Sequence, residues 1–154
     1  MEEQKRSCEL EKMGCGGCSM LSLSYEKQLK KKQKRLEKLL GKFGKVQPVI
    51  GMENPWHYRN KVISTFTRGE GKRLQSGIYA QGTHRVIPVE RCFLHQPALD
   101  KAVEAVRKAA ADCKYQPYDE DRRTGLIRHV LVRHSLTTDE VMAVPVSYTH
   151  LRAH

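Results

Sequence analysis

The chain has 154 residues, with 28 lysines and arginines against 17 aspartates and glutamates for a formal charge of +11, and only 6% aromatic residues. A chain of this length buries about 70% of the surface its unfolded form exposes, enough for one domain with its own core. Its apolar runs fall far short of the ~20 residues a membrane-spanning helix needs, so no membrane partner is expected, and so strong a positive field calls for a polyanion.

Met1 to Ser7 is a polar lead-in, and the first patterned stretch is CELEKMGCGGC, from Cys8 to Cys18. Thiolates are soft ligands, and the CxxC pair Cys15 and Cys18 can reach one metal without straining the loop between them. Gly14, Gly16 and Gly17 clear side chains from the backbone around such a centre and free N–H groups to point at its sulfurs. Cys92, far downstream in VERCFLHQP, makes the set a triplet plus one. On the residues alone three uses compete. A disulfide is disfavoured by the odd count of five cysteines and by the lack of a secretory pattern at the start. Four-cysteine zinc sites more often use two CxxC knuckles, and one is present. Four thiolates around an iron–sulfur cluster suit the spacing better.

Ser24 is placed to cap a helix in which Tyr25, Leu29, Leu36, Leu40 and Phe43 recur at helical spacing, with Gly44 to end it. The other faces carry Lys27, Lys30, Lys31, Lys32, Lys34, Arg35, Lys38 and Lys42. Each alone reads as a solvated cation; together they set a field that draws in RNA, and Lys31 and Lys34 are candidate contacts. Pro48, Gly51 and Pro55 then argue for an extended connection. Trp56, Tyr58, Arg59 and Lys61 follow on one short segment, joining rings that stack on unpaired bases to cations that grip phosphates. The single tryptophan is equally suited to filling a core.

A strand meander comes next: Val62 to Thr67, a turn at Gly69 and Gly71, Leu74 to Ala80 with Gly77 inside, and Arg85 to Val89, with Pro88 assigning the last to an edge. That strand returns Cys92 to the triplet. Pro97 opens a second helix with Leu99, Ala102, Val103, Val106 and Ala110 on one buried stripe, and Cys113 near its end reads as a buried or partly buried free thiol. Leu126 to Val132 and Glu140 to Val144 form a hairpin through Thr137, Thr138 and Asp139. On its first strand Arg128 is a further RNA candidate, and His129 and His134 read as surface or interface residues rather than ligands. The end, VSYTHLRAH, has no period and resembles translated sequencing adapter, so it is set outside the fold.

The runs CxxxxxxCGGCSMLSLSYEKQLKKKQ, YRNK, SGIYAQGTHRVIPVERC and TGLIRHVLVRHSLTTDEVMAV together closely resemble the N-terminal and central region of bacterial RNA 5-methyluridine methyltransferases, from Cys8 to Val144. That resemblance implies a [4Fe-4S] cluster on Cys8, Cys15, Cys18 and Cys92. It also implies an α+β fold: an antiparallel sheet with two main helices and a cysteine-rich N-terminal loop closed by the cluster. The expected parts are a lead and cluster loop at 1–23, a central RNA-binding domain at 24–144 and a non-native tail at 145–154. Gln28 and Lys32 match the family's helix, whereas Ser22 stands where many relatives carry a histidine, whose role cannot be transferred.

Methylating uracil C5 requires a thiolate that adds to C6, a held methyl donor and a base for the C5 proton. In the resembled family these belong to a Rossmann-like domain binding S-adenosylmethionine. Here Gly69-Glu70-Gly71 lacks the third glycine and the following helix of a dinucleotide-type turn, and neither Cys92 nor Cys113 sits in a nucleophile motif. The resemblance therefore implies a piece of a larger 23S rRNA uracil methyltransferase, of the type without a TRAM domain, inactive by itself, monomeric and cytoplasmic. The other readings are a free-standing zinc or iron–sulfur RNA-binding module and a redox protein, the latter disfavoured by the basic charge and the dispersed ligands.

Overall fold

A computed structural model describes residues 8–148. One turn of helix, α1 (Glu9–Lys12), is followed by α2 (Tyr25–Leu40), strands β1 (Lys61–Arg68), β2 (Leu74–Tyr79) and β3 (Val86–Pro88), helix α3 (Pro97–Asp112), and strands β4 (Ile127–His134) and β5 (Val141–Ser147). The five strands form one antiparallel sheet in the order β3-β2-β1-β4-β5. This is the expected α+β architecture, with β3 and its Pro88 on an edge, where a residue without an N–H costs the least.

Alternation decides which face of the sheet is covered. Val62 and Phe66 of β1 and Val130 and Val132 of β4 point to the side on which α3 lays Leu99, Val103 and Ala110, with Ile127 joining the cluster. Pro97 stands in the first turn of α3, where a missing N–H matters least. Gly77 has a steric reason inside β2: a Cβ there would stand 1.8 Å from the Ile87 carbonyl oxygen, so β2 and β3 pair only because the position has no side chain.

Several expectations need correction. Ser24 occupies the cap position of α2 but makes no side-chain capping bond, and its buried hydroxyl has no hydrogen-bond partner in the described structure. The α-helix ends at Leu40, and one tighter turn, Gly41–Phe43, leads to Gly44. Cys113 is exposed, because it lies just past the last buried residue of α3. His134 is buried, with ring nitrogens 2.7 Å from Gln96 Oε1 and 2.8 Å from Asp139 Oδ1, so it ties the start of α3 to the β4–β5 turn. Strand β5 runs past Val144 to Ser147, with Pro145, Val146 and Ser147 opposite Val130, His129 and Ile127 of β4.

Candidate functional site

The cysteine loop gathers against the β2–β3 end of the sheet. Cys8 precedes α1, Gly14 turns the chain at φ 87°, and Cys15 forms an isolated antiparallel bridge to Ala80. Main-chain and side-chain bonds fix that placement: Gln81 N–H donates to Gly14 O at 3.1 Å, and Arg85 Nη2 donates to Met13 O at 2.8 Å. Gly17 N–H lies 3.4 Å from Cys15 Sγ, and a Cβ on Gly17 would stand 3.4 Å from the same sulfur. The glycines thus bring backbone donors up to a thiol, as the loop composition implies.

Cys92 is held from the other side. Its N–H donates to Asp100 Oδ2 at 3.0 Å, its Sγ lies 3.5 Å from Leu94 N–H, and Asp100 Oδ1 is 2.7 Å from His95 Nδ1. Arg59 joins the two halves. Its N–H donates to Leu94 O at 2.8 Å, its carbonyl accepts from Gln96 N–H at 3.1 Å, and its Nη2 donates to Gly17 O at 2.7 Å. One residue therefore clamps the Cys92 segment with its main chain and the CxxC loop with its guanidinium.

The surroundings act differently on the two thiols and on the histidine beside them. The Cys18 thiol is pushed above its ordinary pKa by burial and then by Cys92, against a pull from Arg59, with Cys15 and Cys8 adding to the rise. Burial alone would raise Cys92 as well, but hydrogen bonds from His95 and Leu94 outweigh it and favour the thiolate. Burial opposes the charged form of His95; Asp100 and Cys92 reverse this and carry its pKa up to about 9. Cys8, Cys15, Cys18 and Cys92 are all free and half-buried. Among the described residues, however, no three His, Cys, Asp or Glu side chains close into a metal-ligand sphere. The donor set suits a soft metal centre, with four unpaired thiols and N–H groups aimed at two of them. Zinc or a cluster would need the thiols to close into such a sphere.

The candidate RNA residues fall into separate groups. Lys31 and Lys34 are exposed on α2, and Tyr58 and Lys61 are exposed beside the sheet. Lys61 is the cross-strand partner of Arg133, a second exposed cation that the sequence did not single out for RNA. Trp56 is half-buried with its ring edge-on to Phe93 at 6.1 Å. Arg59 is turned toward the cysteine loop, and Arg128 is bonded to the Glu120 carboxylate and the Tyr148 hydroxyl. Arg85, His95 and Asp100 were not marked from sequence, because their partners are distant or lie across a helix start.

The fold matches a crystal structure of the Pyrococcus abyssi tRNA (uracil-54, C5)-methyltransferase in complex with S-adenosyl-L-homocysteine, at a TM-score of 0.73 and 21% identity, over 88% of this chain and 32% of that one. In sequence it is 36% identical over 138 residues to an uncharacterized RNA methyltransferase of Halalkalibacterium halodurans, covering 86% of this chain and 30% of the relative. Similar proteins of Caldanaerobacter subterraneus and Listeria monocytogenes, both named uncharacterized RNA methyltransferase, are 39% identical over 137 and 139 residues. The chain thus spans about 30% of the length of the curated relatives it matches. No protein-family model matches it. Among the described residues no helix is long and apolar enough to cross a membrane.

Proposed function

We propose that this chain is the cluster-bearing, RNA-contacting part of an S-adenosylmethionine-dependent RNA uracil-C5 methyltransferase. Relatedness along 86% of the chain to proteins named RNA methyltransferase supports the general reading, as does the net charge of +11. The clamp by Arg59, whose main chain holds the Cys92 segment and whose guanidinium holds the CxxC loop, is the observation that supports the metal assignment. In this reading the four sulfurs hold a [4Fe-4S] cluster, which supplies a cross-link between the N-terminal loop and the sheet. Arg59 holds the same two segments together by hydrogen bonds. Lys31, Lys34, Tyr58 and Lys61 contribute the exposed cations and ring that meet 23S rRNA.

The nucleophile, the methyl donor site and the base match nothing in this sequence, so the chain alone binds RNA without methylating it. Incubated with labelled S-adenosylmethionine and unmodified ribosomal RNA, it transfers no methyl; incorporation would place an active site within these residues. Anaerobic purification followed by iron, sulfide and zinc analysis tests the centre. About four iron and four sulfide per chain are expected, and one zinc with no sulfide would replace the cluster by a zinc site.

A further inference from the structure

Beside the cysteine loop lies a cleft of about 700 Å³, within the range of roughly 300–1,000 Å³ usual for small-ligand sites. Gly16 and Gly17 form one wall, the β2–β3 turn forms the other, and Arg59 lines the cleft between them. Two rings stand on the turn side, Tyr79 and His84, with centroids 5.8 Å apart and planes tilted by 52°. Tyr79 is 37% exposed and His84 is exposed, so the pair lies at the surface of the cleft. None of the residues lining the cleft is acidic, and its one formal charge is Arg59, one of whose terminal nitrogens is already used by Gly17 O. Aromatic rings, a guanidinium with N–H groups to spare and walls of bare backbone favour a flat heterocycle carrying an anionic group.

We infer that this cleft holds one unpaired nucleotide of the bound RNA, its base against Tyr79 and His84 and its phosphate at Arg59. The proposal rests on the RNA-binding reading above and adds to it a single-nucleotide seat. Loop and turn are in direct contact beside the seat, through the Cys15–Ala80 bridge and at Gly16, where a Cβ would stand 3.2 Å from Gln81 Cβ. One wall of the seat is also the loop that carries Cys15 and Cys18. RNA grip and closure of the cysteine loop are therefore linked through Gly16, Gly17 and Arg59.

The test uses the full chain, purified anaerobically, and a fluorescein-labelled single-stranded ribosomal RNA segment, with affinity followed by anisotropy over a salt series. Base–aromatic stacking is worth about 1–3 kcal/mol, so Tyr79→Ala is expected to weaken binding roughly 5- to 150-fold. The slope against salt should be unchanged, because no phosphate contact is lost. Tyr79→Phe is expected to restore most of the affinity. A double change on α2, Lys31→Ala with Lys34→Ala, serves as the contrast and should lower both affinity and salt slope. If Tyr79→Ala folds poorly, the wild-type chain is photocrosslinked to the same RNA carrying 4-thiouridine, and adducts are expected within residues 78–84. Full affinity in folded Tyr79→Ala, or adducts confined to α2, overturns the seat and leaves the RNA reading standing. No RNA binding by the wild-type chain overturns both.

Discussion

Helices α2 and α3 are the same length, 16 residues, and both are amphipathic, yet they end in opposite circumstances. Helix α3 buries Leu99, Val103 and Ala110 against the sheet, whereas no residue of α2 is buried. What covers α2 is a short extended segment: Val49 N–H bonds to Gln33 Oε1 at 2.8 Å, and Met52 N–H bonds to the Tyr25 hydroxyl at 2.8 Å. Leu29 and Leu36 are half-covered, but Leu39, Leu40 and Phe43 at the far end stay exposed, Phe43 at 78%. Helical periodicity shows that a helix has an apolar side; it does not say what meets that side. The lysines of α2 fit this arrangement, since a helix standing off the core can present cations around most of its circumference.

The sharpest way to break this contrast is to delete apolar volume from each helix. Leu99→Ala should destabilise the chain by about 2–5 kcal/mol, the usual cost of a core cavity, whereas Leu39→Ala on the exposed end of α2 should change stability by less than about 0.5 kcal/mol. Urea denaturation followed by circular dichroism measures both, and equal losses would mean that α2 carries a core. Gly77→Ala comes next, because the new methyl group collides with the Ile87 carbonyl oxygen. A loss of about 1–3 kcal/mol is expected, with β3 the first strand to show amide exchange.

Cys92→Ser addresses the site rather than the core. It should abolish iron binding and lower RNA affinity, while the sheet's circular dichroism in the metal-free chain stays unchanged; retained iron would remove Cys92 from the ligand set. A smaller effect follows from His95, whose pKa rises in the fold from 6.5 to about 9. A raised pKa stabilises fully below the unfolded value and ceases to do so as pH passes the folded one. In the metal-free chain, the stability advantage of wild type over Asp100→Asn should therefore be largest at or below about pH 6.5 and shrink as pH rises through about 9. Thermal melts across that range measure it, and a constant difference would mean that Asp100 acts only through the Cys92 N–H. The smallest effect belongs to Lys31→Ala and Lys34→Ala, singly. Each removed phosphate contact should lower the salt slope of single-stranded RNA binding by about 0.7.

Much of the fold was legible because its signals are local. The β-branched and aromatic run Val62 to Thr67, Pro97 at a helix start and Gly44 after the tightened turn each act over a few residues, and all three occupy the anticipated places. Of the candidate site, the residue types were legible and the partnerships were not. Arg59 was marked as a cation for phosphate; that its Nη2 also bonds the Gly17 carbonyl could not be read from the sequence, because the two residues are 42 positions apart. The His95–Asp100 contact needs α3 to begin where it does, and His134 is buried because Gln96 and Asp139 supply partners from two other elements. Tyr79 and His84 stood in the resembled SGIYAQGTHRVIPVERC run without a role; only the turn that brings their rings together gives them one.

The attachments of residues 8–18 to the sheet, at Ala80, Gln81, Arg85 and Arg59, are few, peripheral and far apart in sequence, and none of residues 8–18 is fully buried. Such a flap closes late in folding, after the meander exists to receive it, and opens early without dissolving what lies beneath. Limited proteolysis is therefore expected to cut within residues 8–18 first and to leave the sheet and α3 folded.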